Sequence, residues 1–329
     1  MITEEISVWL RSVTGCDPDA VELAGDASTN SFFRVQAGDR RLVLLISSDP
    51  DRLSPHIHMN RFFTHLGLPV AGILKADDRL GVLLMEDLGD RQLWQATAGE
   101  RDELYHDAVS LLIKLQRGAG PYRAIVVTEA GPYRPPVLGR NRLLWELEFF
   151  ATHYVAGLMK VDPDGVRAEL PGLLDKIRLD PLAYCHRDYH SRNIMLKDGS
   201  LHLIDLQDAR WGHPLYDLAS LLSDSYVDLD TGLVSVCKEQ FYEATAGLWS
   251  GRDDFDRQFD YVAVQRNIKA LGTFAAQARM RGKIEYLGFV PRTRHLLESR
   301  LRRPELESLR SALAAAGFFS HAGPPSAVW

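Results

Sequence analysis

Cysteine is scarce in this chain. Cys16, Cys185 and Cys237 lie far apart and no Cys-x-x-Cys occurs, which excludes a disulfide framework and fits a reducing cytosol. Long apolar runs are missing too: no stretch of about 18 such residues exists, so no membrane span is expected. The opening Met1-Ile-Thr-Glu-Glu5 is acidic and lacks the basic-then-apolar order of a signal peptide, so a cytoplasmic location is expected. Positive charge is in deficit overall, with a net charge of -6, and nucleic acid is not an expected partner. Repeats and low-complexity tracts are also absent. What is present is the balance of a soluble globular protein, 46% hydrophobic and 25% charged. A length of 329 residues suggests two domains or one large two-lobed unit.

The chain is organised around residues 184 to 208. Tyr184-Cys-His-Arg-Asp-Tyr-His-Ser-Arg-Asn193 is a short apolar strand running into a polar loop. Ile194-Met-Leu196 and Leu201-His-Leu-Ile204 flank a Lys197-Asp-Gly-Ser200 turn and predict a hairpin. That hairpin would bring Asp188, Asn193 and Asp205 to face one small volume. Oxygen ligands of this kind suit Mg2+, which keeps several waters. His186-Arg187-Asp188, with Asn193 five residues after the Asp, matches the kinase catalytic loop H-R-D-x-x-x-x-N. By role, Asp188 is the base that receives the proton of an attacking hydroxyl, and Asn193 and Asp205 are metal ligands. A zinc site on His186 and His190 is the weaker alternative, because no Glu follows the first His and no helical pattern surrounds the pair.

Before this stretch, residues 3 to 13 predict an amphipathic helix with Ile6, Trp9, Leu10 and Val13 on one face. Strands are expected at 21–23, 31–35, 41–46, 70–74 and 80–85. The polar loop Gly25-Asp-Ala-Ser-Thr-Asn30 joins the first two and would cover nucleotide phosphates through backbone N–H groups and the Ser28 and Thr29 hydroxyls. Asn30 belongs to the same expected nucleotide set. A kinase normally carries a Lys on its third strand, paired to a helix Glu. Lys75 is the only lysine in the first ninety residues, and the helix expected at 54–66 contains no Glu. Both halves of the ion pair are absent together, so neither charge is stranded. Arg34 or Arg41 is the candidate phosphate neutraliser. Glu86-Asp-Leu88 reads as a hinge whose backbone would meet adenine at Glu86 and Leu88.

Helical spacing continues at 91–117 and 139–158, and after Leu222 the chain is mostly helical. Trp145, Glu146 and Glu148 could line a substrate pocket; the favoured reading puts Trp145 in the core and the two glutamates on a solvated face. From Gln265 to Arg303, ten Lys/Arg stand against two Glu. Arg266 and Lys269 lie three apart on one helix face and are candidate contacts for an anionic substrate, with a solvated helix surface as the equal alternative.

His190 refines the reading. H-x-D-x-H-x-x-N resembles the catalytic loop of the aminoglycoside phosphotransferase and choline kinase group, and Gly212-His-Pro-Leu-Tyr-Asp217-Leu-Ala219 looks similar to the segment that follows it there. Together with Met85-Glu-Asp-Leu-Gly-Asp90, Ile204-Asp-Leu-Gln-Asp-Ala209 and Gln265-Arg-Asn-Ile-Lys-Ala-Leu-Gly-Thr-Phe-Ala275, these motifs resemble the bacterial N-acetylmuramate/N-acetylglucosamine anomeric kinases, a branch of that family. The resemblance implies an α+β, bilobal, protein-kinase-like fold. Its small lobe, 1–87, would hold a five-stranded antiparallel sheet and one helix, and its larger helical lobe would be 88–329. It also implies ATP and Mg2+ as cofactors, and phosphorylation of the C1 hydroxyl of a cell-wall amino sugar by a monomer. Asp188, His190 and Asn193 are then catalytic, and Asp217 braces the loop from below. A kinase of another small alcohol, such as choline or an aminoglycoside, and a nucleotide-binding pseudokinase are the competing readings.

Overall fold

The computed structural model describes residues 2–23, 30–49, 53–120, 126–128 and 131–320. It falls into two compact units, and the chain passes between them more than once. The first unit comprises Met1–Ala96, Pro121–Pro135 and Arg192–Ala209; the second comprises Thr97–Gly120, Pro136–Ser191 and Arg210–Trp329. This differs from a single break at residue 87. Part of the reason is the hairpin of the central stretch. The Leu203 N–H donates to Pro69 O at 2.8 Å and the Leu196 N–H to Arg91 O at 2.7 Å, so the hairpin belongs to the first unit.

In the first unit, helix α1 (Glu4–Thr14) precedes strands β1 (Asp19–Leu23), β2 (Ser31–Ala37) and β3 (Arg40–Ile46). Helix α2 (Leu53–His65) and strands β4 (Ile73–Asp77) and β5 (Val82–Glu86) follow. The sheet is antiparallel in the order β1-β2-β3-β5-β4. Helices α1 and α2 are those expected at 3–13 and 54–66. The Thr3 hydroxyl accepts the Ile6 N–H at 3.3 Å and starts α1; Gly15, at φ 76°, ends it. Ile6 and Leu10 of α1 join the cluster of Phe33, Val35, Leu42 and Leu44. Burying each such side chain contributes roughly 1.5–3 kcal/mol. The alternation of β3 puts Leu45 in a different cluster, with Leu53 and Ile57 of α2 and Leu83 of β5. The strand β4 begins later than the 70–74 run predicts, because Val70 bridges Leu203 instead. Two small hairpins, β6 (Val126–Thr128) with β7 (Gly131–Tyr133) and β9 (Ile194–Lys197) with β10 (Ser200–Leu203), complete the unit.

The second unit is mainly helical: α3 (Ala98–Ala119), α4 (Arg140–Phe150) running into a π-helical segment Ala151–Met159, α5 (Asp164–Leu174), α6 (Tyr216–Leu222), α7 (Thr231–Thr245), α8 (Arg252–Arg281), α9 (Val290–Arg300) and α10 (Glu307–Ala315). Strands β8 (Ala183–Cys185) and β11 (Arg210–Gly212) pair with one another and carry the catalytic-loop sequence out of β8. Helix α8 is the axis of the unit, buried on most of its surface. It lies against α4 at Gly272, where an added Cβ would stand 2.8 Å from Phe150 Cα. Among the described residues no helix is long and apolar enough to cross a membrane.

That close approach predicts a contrast between two helical glycines. Gly272→Ala gains helix propensity of about 1 kcal/mol but overpacks against backbone, for a net loss of about 1–3 kcal/mol. Gly172→Ala on α5, with open space around the site, stabilises by about 0.5–1 kcal/mol. Urea midpoints measure both; equal shifts for the two variants contradict the packing.

Candidate active site

The loop after β8 is pinned at three places. Asp217, fully buried at the start of α6, accepts the N–H groups of His186 at 2.6 Å and Arg187 at 2.9 Å with its two carboxylate oxygens. The double anchor holds Arg187 at φ 80°, a left-handed conformation that non-glycine residues seldom adopt. The Tyr189 hydroxyl donates to Ala108 O on α3 at 2.7 Å. Asp224 accepts the N–H groups of Ser191 and Tyr226, each at 2.8 Å. Burial pushes the Asp217 carboxyl up to about 6, although the His186 charge and the two backbone donors pull it down. His190 is driven down to about 3 by burial, outweighing the pull of Asp188, so it is neutral at neutral pH.

Asp188, next in the chain after Arg187, is surrounded by cations. Lys269 Nζ donates to its Oδ1 at 2.9 Å, and a guanidinium nitrogen of Arg266 lies 3.7 Å from the same oxygen. Arg187 lies 3.7 Å from Oδ2. Burial raises the Asp188 carboxyl, but Lys269, Arg187 and Arg266 overcome it and hold it well below the ordinary carboxylate range. Glu146 completes the cluster from α4. It accepts from Arg187 at 3.0 Å and from Gln265 at 2.9 Å, and it too is lowered, its burial outweighed by Lys269, Arg187 and Arg266. Arg266 donates to the Tyr216 hydroxyl at 2.9 Å and covers that ring. Three cations against two carboxylates leave one positive charge over.

Two expectations change here. Glu146 is 2% exposed and Trp145 half exposed, the reverse of the favoured core-and-surface reading, and both line a cavity, as the alternative has it. The signal was available: Leu143, Glu146, Leu147 and Phe150 form one i, i+3, i+4, i+7 stripe, and Trp145 lies off it. The second concerns Arg266 and Lys269, expected to meet substrate or to lie on a solvated surface; both are largely buried and face the carboxylate of Asp188. A cavity of about 280 Å³ opens beside this cluster between α4 and α8. Glu146, Arg187 and Lys269 line its charged part, and Trp145, Phe149 and Met280 its apolar wall.

The expected nucleotide and metal residues fall in the first unit, except that Ser28 and Thr29 lie outside the described residues. The β9–β10 hairpin brings Asn193 and Asp205 together: the Ile204 N–H donates to Asn193 O at 3.1 Å, and the Asn193 amide nitrogen is 3.5 Å from Asp205 Oδ2. Gln207 donates to Asp205 Oδ1 at 2.6 Å, and Asp205 itself is left-handed at φ 63°. Among the described residues no group of three or more His, Cys, Asp and Glu could hold a metal. An amide and a carboxylate side by side are nevertheless a hard-oxygen pair that fits Mg2+, which takes one or two protein ligands and fills the rest with water and phosphate. Arg34 is not held open toward phosphate; its guanidinium bonds Asp87 and Asp90, each at 2.8 Å. Glu86 pairs with Lys197, whose ammonium also reaches Asp87 O at 3.0 Å. Leu88 is buried in a cluster with Ala71 and Met195. Asn30 lies 3.3 Å from the His56 ring on α2, the helix that lacks the usual Glu. Burial lowers His56 to about 4 against the pull of Asp208.

A family model described as the phosphotransferase enzyme family matches residues 19–255. The chain belongs to that family. It is 32% identical over 312 residues to a Pseudomonas aeruginosa protein named N-acetylmuramate/N-acetylglucosamine kinase, covering 90% of this chain and 88% of that one. A Neisseria meningitidis protein of the same name is 30% identical, covering 90% of each chain. A crystal structure of a choline kinase from Streptococcus pneumoniae superimposes with a TM-score of 0.62 at 14% identity, over 90% of this chain and 98% of that one. At that identity the likeness establishes the fold: the phosphotransferase has the bilobal kinase-like architecture expected of it.

In this phosphotransferase the Asp217 anchor dictates where Asp188 points. Asp217→Ala removes the acceptor of two buried N–H groups next to a left-handed residue, and a displacement of about 1 Å at Asp188, the expected base, lowers kcat about 100-fold. Binding of Mg-ATP, whose expected residues lie in the other unit, stays within about twofold of wild type. Turnover beside a nucleotide titration tests this; an unchanged kcat would show that the anchor does not position the base.

Proposed function

We propose that the chain transfers the γ-phosphoryl group of ATP to the anomeric hydroxyl of N-acetylmuramate, N-acetylglucosamine or both, as a monomeric cytoplasmic enzyme of cell-wall sugar reuse. The observation that carries the reading is Asp188 held ionised on an anchored loop, beside a cavity with surplus positive charge. The names of the two bacterial relatives supply the acceptor. At about 280 Å³ the cavity falls just below the roughly 300–1,000 Å³ range of ligand sites, a small volume for a multi-ring aminoglycoside. Its charge favours an acceptor with a carboxylate, as N-acetylmuramate has, and opposes choline and aminoglycosides, which are cationic.

Asp188 accepts the hydrogen bond of the sugar's C1 hydroxyl and takes its proton as the phosphoryl group arrives. A carboxylate this acidic is a weak base. It suffices because the transition state is loose and proton transfer is not its main barrier, so orientation matters most. Lys269, Arg187 and Arg266 keep Asp188 in the accepting state. Asn193 and Asp205 would hold Mg2+, which neutralises charge on the transferring phosphoryl group. Adenine would lie at the hinge backbone of Glu86 and Leu88, beside the apolar cluster of Ala71, Leu88 and Met195 with partly buried Met85 and Ile204.

The test is Mg-ATP with N-acetylmuramate, N-acetylglucosamine, choline and an aminoglycoside, read by phosphorus NMR. A sugar 1-phosphate is expected, lost with EDTA and reduced at least about 1,000-fold in Asp188→Asn and in Asp205→Asn. Product from choline or the aminoglycoside alone, or tight ATP binding with no product from any acceptor, overturns the reading.

A further inference from the structure

The α4–α8 cavity is longer than one sugar needs. Its α8 wall is made by Lys269, Thr273, Gln277 and Met280, spaced by three or four residues on one face, and Arg281 follows. At 1.5 Å per residue, Lys269 and Met280 are about 16 Å apart along the helix axis, some three times the width of a pyranose ring. The two ends differ from the middle. At one end Lys269 and Arg187 stand beside Asp188, and Glu146 is already bonded to Arg187. At the other end are exposed Met280 and Arg281. Between them Phe149 and Ala276 give apolar wall, and Thr273 and Gln277 give hydrogen-bonding groups. Among the described residues Glu146 is the single carboxylate lining the groove, against the three cations Arg187, Lys269 and Arg281. A positively charged groove of this length, starting at the base, matches an acceptor that carries an arm away from its reacting hydroxyl and ends in negative charge.

We infer that the groove is a subsite for an anionic arm on the sugar, and that the enzyme accepts a muramyl acceptor whose lactyl carboxylate is extended by an amide-linked amino acid. The inference rests on the reading of the site as an amino-sugar kinase and names a substrate class within it. The apolar middle would take the amino acid's side chain, Gln277 and Thr273 its amide, and Arg281 its terminal carboxylate. One added residue moves that carboxylate about 3.6 Å along the groove, toward Arg281.

The experiment compares kcat/KM for N-acetylglucosamine, N-acetylmuramate and N-acetylmuramyl-L-alanine, in wild type and in Arg281→Ala. Arg281 is exposed in the last turn of α8, and an unchanged urea midpoint checks that its truncation leaves the fold intact. Wild type is expected to use the alanine conjugate within about threefold of N-acetylmuramate. Arg281→Ala should lower the conjugate about tenfold through lost charge pairing while moving both free sugars less than about twofold. Rejection of the conjugate by an enzyme that turns over the free sugars, or an equal effect of Arg281→Ala on all three, overturns the subsite and leaves the kinase reading standing. No product from any of the three with wild type overturns the kinase reading and the subsite with it.

Discussion

The two-point hold on Arg187 is the constraint on which the catalytic half of the molecule depends. Its N–H is tied to Asp217 and its guanidinium to Glu146, so a residue in an uncommon left-handed conformation is fixed at both ends. Asp188 is the next residue and inherits the geometry. Neither anchor is cheap. Buried ions desolvate at a penalty of several kcal/mol each, and removing one partner of a buried pair typically destabilises by about 3–5 kcal/mol. The penalty is tolerable because the charges compensate one another. Glu146 faces Arg187 and Gln265, Arg266 faces Tyr216, and Lys269 faces Asp188.

Charge balance also connects the site to its chemistry. The surplus cation keeps Asp188 ionised, which suits a residue that orients a hydroxyl rather than one that pulls a proton from it early. Two of the same cations, Arg187 and Lys269, line the groove on α8. On the proposed reading one cluster therefore sets both the protonation state of Asp188 and the sign of charge the acceptor should carry.

Much of the site was legible in the sequence where its determinants are local. The spacing of His186, Asp188, His190 and Asn193, the turn at Lys197–Ser200 and the strand ending at Asp205 each act over a few residues, and the hairpin forms as the pattern predicts. The missing lysine and glutamate of the first unit were likewise visible as absences. Glu146 could have been found from its place on an apolar stripe, but a carboxylate in an otherwise amphipathic helix reads as solvated until its partner is known. The Lys269–Asp188 contact joins residues 81 positions apart, and Arg34 meets Asp87 across 53. Such pairings come from tertiary packing and leave no local trace. The interleaving of the two units was hidden for the same reason: hydrogen bonds from the hairpin to Pro69 and Arg91 override chain order.

The measurement that tests this account most directly is a carbon-13 NMR titration of the Asp188 and Asp217 carboxyls in the free enzyme, assigned with Asp188→Asn. The account predicts that Asp188 stays ionised down to the lowest pH at which the protein remains folded, and that Asp217 titrates near 6. An Asp188 carboxyl that titrates between about pH 5 and 7, the range of a base poised near neutrality, would contradict it.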